Sequence, residues 1–119
     1  MSGARSRNKG ARGEREVVSL IRARSFDAVR GFASGATGGG DVATDMPDVP
    51  EVKLAERITF WPWIDQAQQN VNGTKRGWCL WIRSNHRQWT VSIDAARYLN
   101  LIEKERELDA RSRREDSSW

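Results

Sequence analysis

The longest unbroken apolar run in this sequence is Trp78-Cys79-Leu80-Trp81-Ile82, five residues. So short a run cannot span a bilayer or form the core of a signal peptide, so the chain is expected to be soluble, cytoplasmic and free of membrane. Being apolar on both faces of an extended chain, it reads as a central strand whose sheet is covered on both sides. At 119 residues, the chain buries about two-thirds of its unfolded surface, enough for one core. The prediction is a single α/β domain.

Periodicity gives the order of elements. Val17, Val18 and Ile21 recur at helical spacing within residues 12–24, with arginines mostly on other faces. Residues 26–32 read as a strand, 33–40 as a small-residue loop dominated by glycine, 41–44 as a strand, 45–50 as a turn with two prolines, and 51–55 as a strand. The last two strands are expected to form a hairpin. Residues 60–72 read as a helix, with Pro62 in its first turn, an apolar stripe at Trp63, Ile64, Ala67 and Val71, and Asn72-Gly73 closing it. The strand 78–82 and a more exposed strand 89–93 follow, joined by a turn at 84–87. Asp94 is placed to cap a final helix. The chain thus divides into a basic, flexible arm (1–11), a domain (12–105) and a charged helical tail (106–119).

Charge is distributed unevenly. Residues 1–30 carry eight Lys/Arg against three acids, residues 31–56 one against five, and residues 57–119 eleven against eight. Basic flanks suit a polyanion such as DNA, and Arg5, Arg7, Lys9 and Arg12 of the arm could follow its phosphates. The acidic island between them would repel the same polyanion unless a divalent cation lay between. The single Cys79 and single His86 exclude a disulfide framework and any cysteine-based zinc site, so carboxylates would have to hold a metal.

Those carboxylates fall into a pattern. Glu51, Lys53 and Ala55 share one strand face and Val52 and Leu54 the other. Asp41 begins the neighbouring strand, and Glu14 lies three and four residues before Val17 and Val18, on their buried stripe. Two carboxylates and a backbone carbonyl are hard oxygen ligands suited to Mg²⁺, with Mn²⁺ as a substitute. Such a metal would neutralise charge as a phosphodiester is attacked. Lys53 could orient or deprotonate the attacking water, or hold the phosphate. Asp48 competes for the role of first acid, but its odd offset from Glu51 puts the two on opposite faces, which favours Asp41. The loop before Asp41 matches neither GxGxxG nor a Walker loop, which argues against a nucleotide cradle.

Lys9-Gly10-Ala11-Arg12-Gly13-Glu14-Arg15-Glu16, then Phe26 through Val29-Arg30, Asp41-Val42 and Glu51-Val52-Lys53 resemble the archaeal-type Holliday junction resolvases of the PD-(D/E)XK nuclease superfamily. The resemblance covers roughly residues 8–55. It implies a restriction-endonuclease-like, mixed five-stranded sheet flanked by helices, and Mg²⁺-dependent cleavage of four-way DNA junctions by a homodimer, with paired nicks leaving 5′-phosphate ends. Carried over by position, it makes Glu14, Asp41, Glu51 and Lys53 the catalytic set. Asp41, Glu51 and the carbonyl of Val52 become the metal ligands. Arg15 and Arg30 match basic positions that meet phosphate, and Ser34 falls in the loop nearest the junction. Gln66 stands where related nucleases carry a catalytic-site Gln or Lys, and a plain helix-surface amide explains it equally well. The chain departs from the family pattern in a longer, more glycine-rich loop before Asp41 and a shorter connection to Glu51. Two other readings are another nuclease of this superfamily, of nicking, repair or restriction type, and a noncatalytic DNA-binding protein of the same fold.

Overall fold

The computed structural model describes residues 2–31 and 41–117, with side chains from Asn8 to Asp116. Ser34 and the glycine-rich loop lie outside the described residues, as do the side chains of Arg5 and Arg7. The elements are α1 (Ser2–Arg22), β1 (Ala28–Arg30), β2 (Val42–Thr44), β3 (Asp48–Leu54), α2 (Phe60–Asn70), β4 (Gly77–Arg83), β5 (Thr90–Ser92) and α3 (Ala95–Ser117). This is the order expected from periodicity. The first helix, however, starts ten residues earlier than residue 12. Half of residues 2–11 are Ala, Arg or Lys, good helix formers, and the lack of large apolar side chains there conceals the helix from a periodicity search.

The strands form two sheets rather than one of five. β1 and β2 pair antiparallel, and β3-β4-β5 form a second, mixed sheet. β3 and β4 run parallel, with Glu51 opposite Leu80, Val52 opposite Trp81 and Lys53 opposite Ile82. β5 runs antiparallel to β4. Parallel neighbours need a crossover, and α2 supplies it. The expected hairpin between residues 41–44 and 51–55 is therefore replaced. β2 takes β1 as its partner, β3 takes β4, and the two sheets meet along the free edge of β3. Pro50 explains part of this arrangement. It shares parity with Val52, whose N–H points away from β4, so its missing N–H falls on the free edge and breaks no ladder bond.

One face of β3 and β4 carries Val52 and Trp81 toward α1, where Val17, Val18, Ile21, Ala28, Val42 and Val52 make one core. The opposite face carries Leu80 and Ile82 toward Ile64 of α2, flanked by Trp63 and Trp78. Leu80 is completely buried between the layers. α1 approaches β3 closely because residue 13 is glycine: a Cβ there would sit 3.0 Å from the Cβ of Leu54 and 3.5 Å from Val52 and Trp89. Glu16, one turn further along, holds the same helix in place. It accepts the indole N–H of Trp89 at 3.0 Å and a guanidinium N–H of Arg83 at 3.1 Å.

Asp94 caps α3 as expected, its Oδ2 accepting the amides of Ala96 and Arg97 at 3.0 and 3.3 Å. Arg97 reaches back to hold both oxygens of Asp48 at 3.1 and 3.0 Å. Asp48 is thus occupied on the face opposite Glu51. Beyond this point α3 stands clear of the domain, with Leu99, Leu101, Ile102 and Leu108 exposed.

Candidate active site

The site lies on the free edge of β3, where that strand meets β2 and α1. Strand alternation sends Glu51 and Lys53 to the α2 face. Glu51 is only 1% exposed, the one charged side chain buried in the core among the described residues. Its Oε2 accepts the amide N–H of Asn70, at the end of α2, at 2.9 Å. Its Oε1 is buried with no hydrogen-bond donor, and the Lys53 ammonium stands 3.9 Å away, an ion pair without a hydrogen bond. Lys53 in turn lies 5.9 Å from the ring centre of Trp63, a cation–π contact that fixes its direction.

Asp41, on the residue before β2, accepts the backbone N–H of Val52 at 2.8 Å. This bond stitches the two sheets together and puts an Asp41 oxygen on the free edge of β3. The carbonyl of Val52 shares that edge, because the N–H and C=O of one strand residue point the same way. β1 is tied to the same turn through Gly31 N–H and the Asp41 carbonyl, 2.8 Å apart.

A second carboxylate so close raises the cost of ionising Glu51. Burial, and after it the neighbouring Asp41 charge, push Glu51 up from 4.5 to about 7. Glu14 from α1 is the third acid. Its Oε1 accepts from Arg30 of β1 at 3.0 Å, yet burial keeps its pKa above the ordinary value, with Asp41 again contributing. Glu14 and Glu51 thus each lie near Asp41, and the expected acids and lysine are gathered from three elements, α1, the residue before β2, and β3.

A buried carboxylate oxygen with no donor, beside a second carboxylate and a strand-edge carbonyl, fits a hard divalent cation. Among the described residues no three His, Cys, Asp or Glu side chains form a ready-made ligand cluster. A cation here would rest on two carboxylates, main-chain oxygen and water, which is how Mg²⁺ is usually held.

The remaining site residues are more scattered. Gln66 is exposed on α2, and the amide that reaches Glu51 is that of Asn70, one turn further along. Asn70 was not singled out from sequence; its only signal is the i+4 offset from Gln66. Lys9 is half-buried, and Arg15 is exposed close enough to Glu14 to favour its ionised form. Arg12 stands 3.7 Å from Glu16, and Arg30 is engaged with Glu14.

Fold and site together define an α/β domain with an acidic, lysine-bearing strand edge. Residues 5–60 match the model of the archaeal Holliday junction resolvases, Hjc. This segment, from α1 to the start of α2, is similar to that family, and it contains Glu14, Asp41, Glu51 and Lys53. No curated protein and no solved structure gives a significant match. No described helix is long and apolar enough to cross a membrane.

Proposed function

We propose that this protein is a metal-dependent, structure-selective DNA endonuclease that resolves four-way junctions by paired phosphodiester hydrolysis. The observation that carries the reading is Glu51: an acid 1% exposed, pressed against Asp41 and with an oxygen lacking any donor, inside the segment that matches the resolvase family. A buried carboxylate oxygen left without a donor costs stability unless a ligand compensates it.

In this reading Asp41, Glu51 and the carbonyl of Val52 hold Mg²⁺ or Mn²⁺. The bound cation neutralises charge on the phosphate and lowers the pKa of a water. Asn70 and Lys53 keep Glu51 in place. Lys53, steered by Trp63, presents its donors to the scissile phosphate and the attacking water. The water oxygen forms the new bond to phosphorus and the bond to the 3′-oxygen breaks, leaving a 3′-hydroxyl and a 5′-phosphate. Arg30, drawn to Glu14 across the entrance, supplies positive charge beside the acids, and Arg15 with the basic start of α1 supplies more. These contacts go to phosphate, which suits recognition of branch shape rather than base sequence.

A two-fold junction calls for two sites. The exposed apolar side chains of α3 and Trp61, itself 70% exposed, support assembly as a homodimer. Light scattering gives the solution mass directly.

The functional test is cleavage of a labelled, immobile four-way junction beside duplex, nicked and single-stranded controls, with Mg²⁺ or EDTA and with Asp41→Asn. Symmetric junction-selective nicks that vanish with EDTA and with the variant are the expected result. Equal cutting of all substrates would keep the nuclease and remove the resolvase. Binding without cutting under any divalent metal would leave a noncatalytic DNA-binding protein.

A further inference from the structure

A second feature lies on the α2 face of the larger sheet, toward β5 and on the other side of β4 from the acidic edge. A surface groove of about 740 Å³ runs between the start of α2 and the β4–β5 turn. Ile58, Phe60 and Ile82 give it apolar lining, while His86, Arg87 and Gln88 give it donors. Ile82 is the register partner of Lys53 and packs in the same cluster as Trp63, so the groove continues the surface on which Lys53 stands.

The turn bearing the donors is closely held. Arg87 N–H closes it onto the Ser84 carbonyl at 3.1 Å, and the Arg83 guanidinium grips the Arg87 carbonyl at 3.4 Å. His86 sits at φ +62°, in the left-handed region that a side chain enters at a cost. Arg83 is itself engaged by Glu16 and lies 5.6 Å from the Trp89 ring centre. The main chain of Arg87 is therefore anchored, whereas its guanidinium is exposed and makes no hydrogen bond or ion pair with the described residues. Glu56 is engaged by Asn85 of the same turn, whose amide donates to it at 3.1 Å.

We infer that this groove is a second DNA-contacting site, which receives the strand leaving the active site and fixes one of its phosphates on Arg87. The inference rests on the endonuclease reading and extends it. An anchored backbone presenting a free guanidinium suits a phosphate, and the apolar lining suits sugars and base faces, as in sequence-independent strand binding. Nothing in the sequence pattern pointed here: the turn at 84–87 reads as an ordinary connection.

The test is junction binding by the full chain in Ca²⁺ or EDTA, over a salt series, for the native protein, Arg87→Ala, Arg87→Glu and the control Arg106→Ala on α3. Arg87→Ala is expected to weaken binding and to lower the slope of log affinity against log salt by about one, with a larger loss for Arg87→Glu and no change in slope for Arg106→Ala. Equal slopes for all four proteins would overturn the inference, as would equal losses at Arg87 and Arg106. Wild-type cleavage, assayed in parallel, separates the two readings: a protein that binds and cuts with Arg87 immaterial loses only the groove, whereas one that neither binds nor cuts loses both.

Discussion

The side-chain amide of Asn70 donates to Glu51 Oε2 across 2.9 Å, joining the end of the crossover helix to the middle of the strand it follows. Asn70 is the only side-chain hydrogen-bond donor found to Glu51 among the described residues. Its removal leaves both oxygens of a buried acid without a donor. Asn70→Ala is expected to cost about 1–3 kcal/mol at pH 8, the usual penalty for orphaning a buried polar group. The loss shrinks at pH 6, where Glu51 is largely protonated. Urea denaturation at the two pH values measures both.

Glu51 also sets a pH dependence of stability in metal-free protein. Its folded pKa of about 7 lies above the unfolded 4.5, so between these values the folded chain binds more protons than the unfolded one. Stability is therefore greatest below pH 4.5 as far as this group is concerned, declines through the interval and levels off above 7. The decline is on the order of 3 kcal/mol at most. Glu51→Gln should remove most of the slope, leaving the smaller part due to Glu14, whose raised pKa acts in the same sense. Mg²⁺ should raise the melting temperature more at pH 8 than at pH 6, because only the ionised pair binds it. A pH-independent effect of Mg²⁺ would argue against this site.

Two glycines on α1 should respond with opposite signs. At Gly13 a methyl group meets Leu54 at 3.0 Å, whereas at Gly10 nothing lies within 4 Å. Gly10→Ala should stabilise by up to about 1 kcal/mol through helix propensity. Gly13→Ala should set that gain against an overpacking cost of about 1–3 kcal/mol. The same substitution lifts α1, and with it Glu14, from the edge of β3. Thermal melts of the two variants, with junction cleavage beside them, give the comparison.

Asp41→Asn retains an oxygen able to accept the Val52 N–H, so the link between the sheets survives. It removes one of two adjacent negative charges. The variant should fold, melt within a few degrees of the native protein without metal, and gain little from Mg²⁺. Its junction cleavage should fall by at least about a hundredfold, while junction binding persists. Loss of binding together with cleavage would place Asp41 in DNA recognition instead of chemistry.

Much of this arrangement was written in local spacing. Alternation put Glu51 and Lys53 on one face, helical periodicity put Glu14 on the inner stripe of α1, and the cap at Asp94 lies where its side chain predicts. The odd offset that separated Asp48 from Glu51 is realised as well, with Asp48 held by Arg97. Each of these depends on residues within a few positions of one another, where backbone geometry dictates which way a side chain points.

The partners of those side chains came only from the tertiary structure. Spacing tells which face Val52 presents but not which strand it lies beside, so β3 pairs with β4 across a helix, and an Asp41 carboxylate stands in where a hairpin ladder was expected. Asn70 reaches Glu51 from nineteen residues away, and Glu16 meets Trp89 from seventy-three. The sequence by itself determined the order of elements, which faces the acids and lysine of the candidate site occupy, and the resemblance carried by its first half. The tertiary structure decided how the strands divide into two sheets, which acid is buried without a donor, and which amide supports it. The physical reason is that side-chain direction follows from the local backbone, whereas pairing and burial follow from contacts that distant segments make only after the chain has closed upon itself.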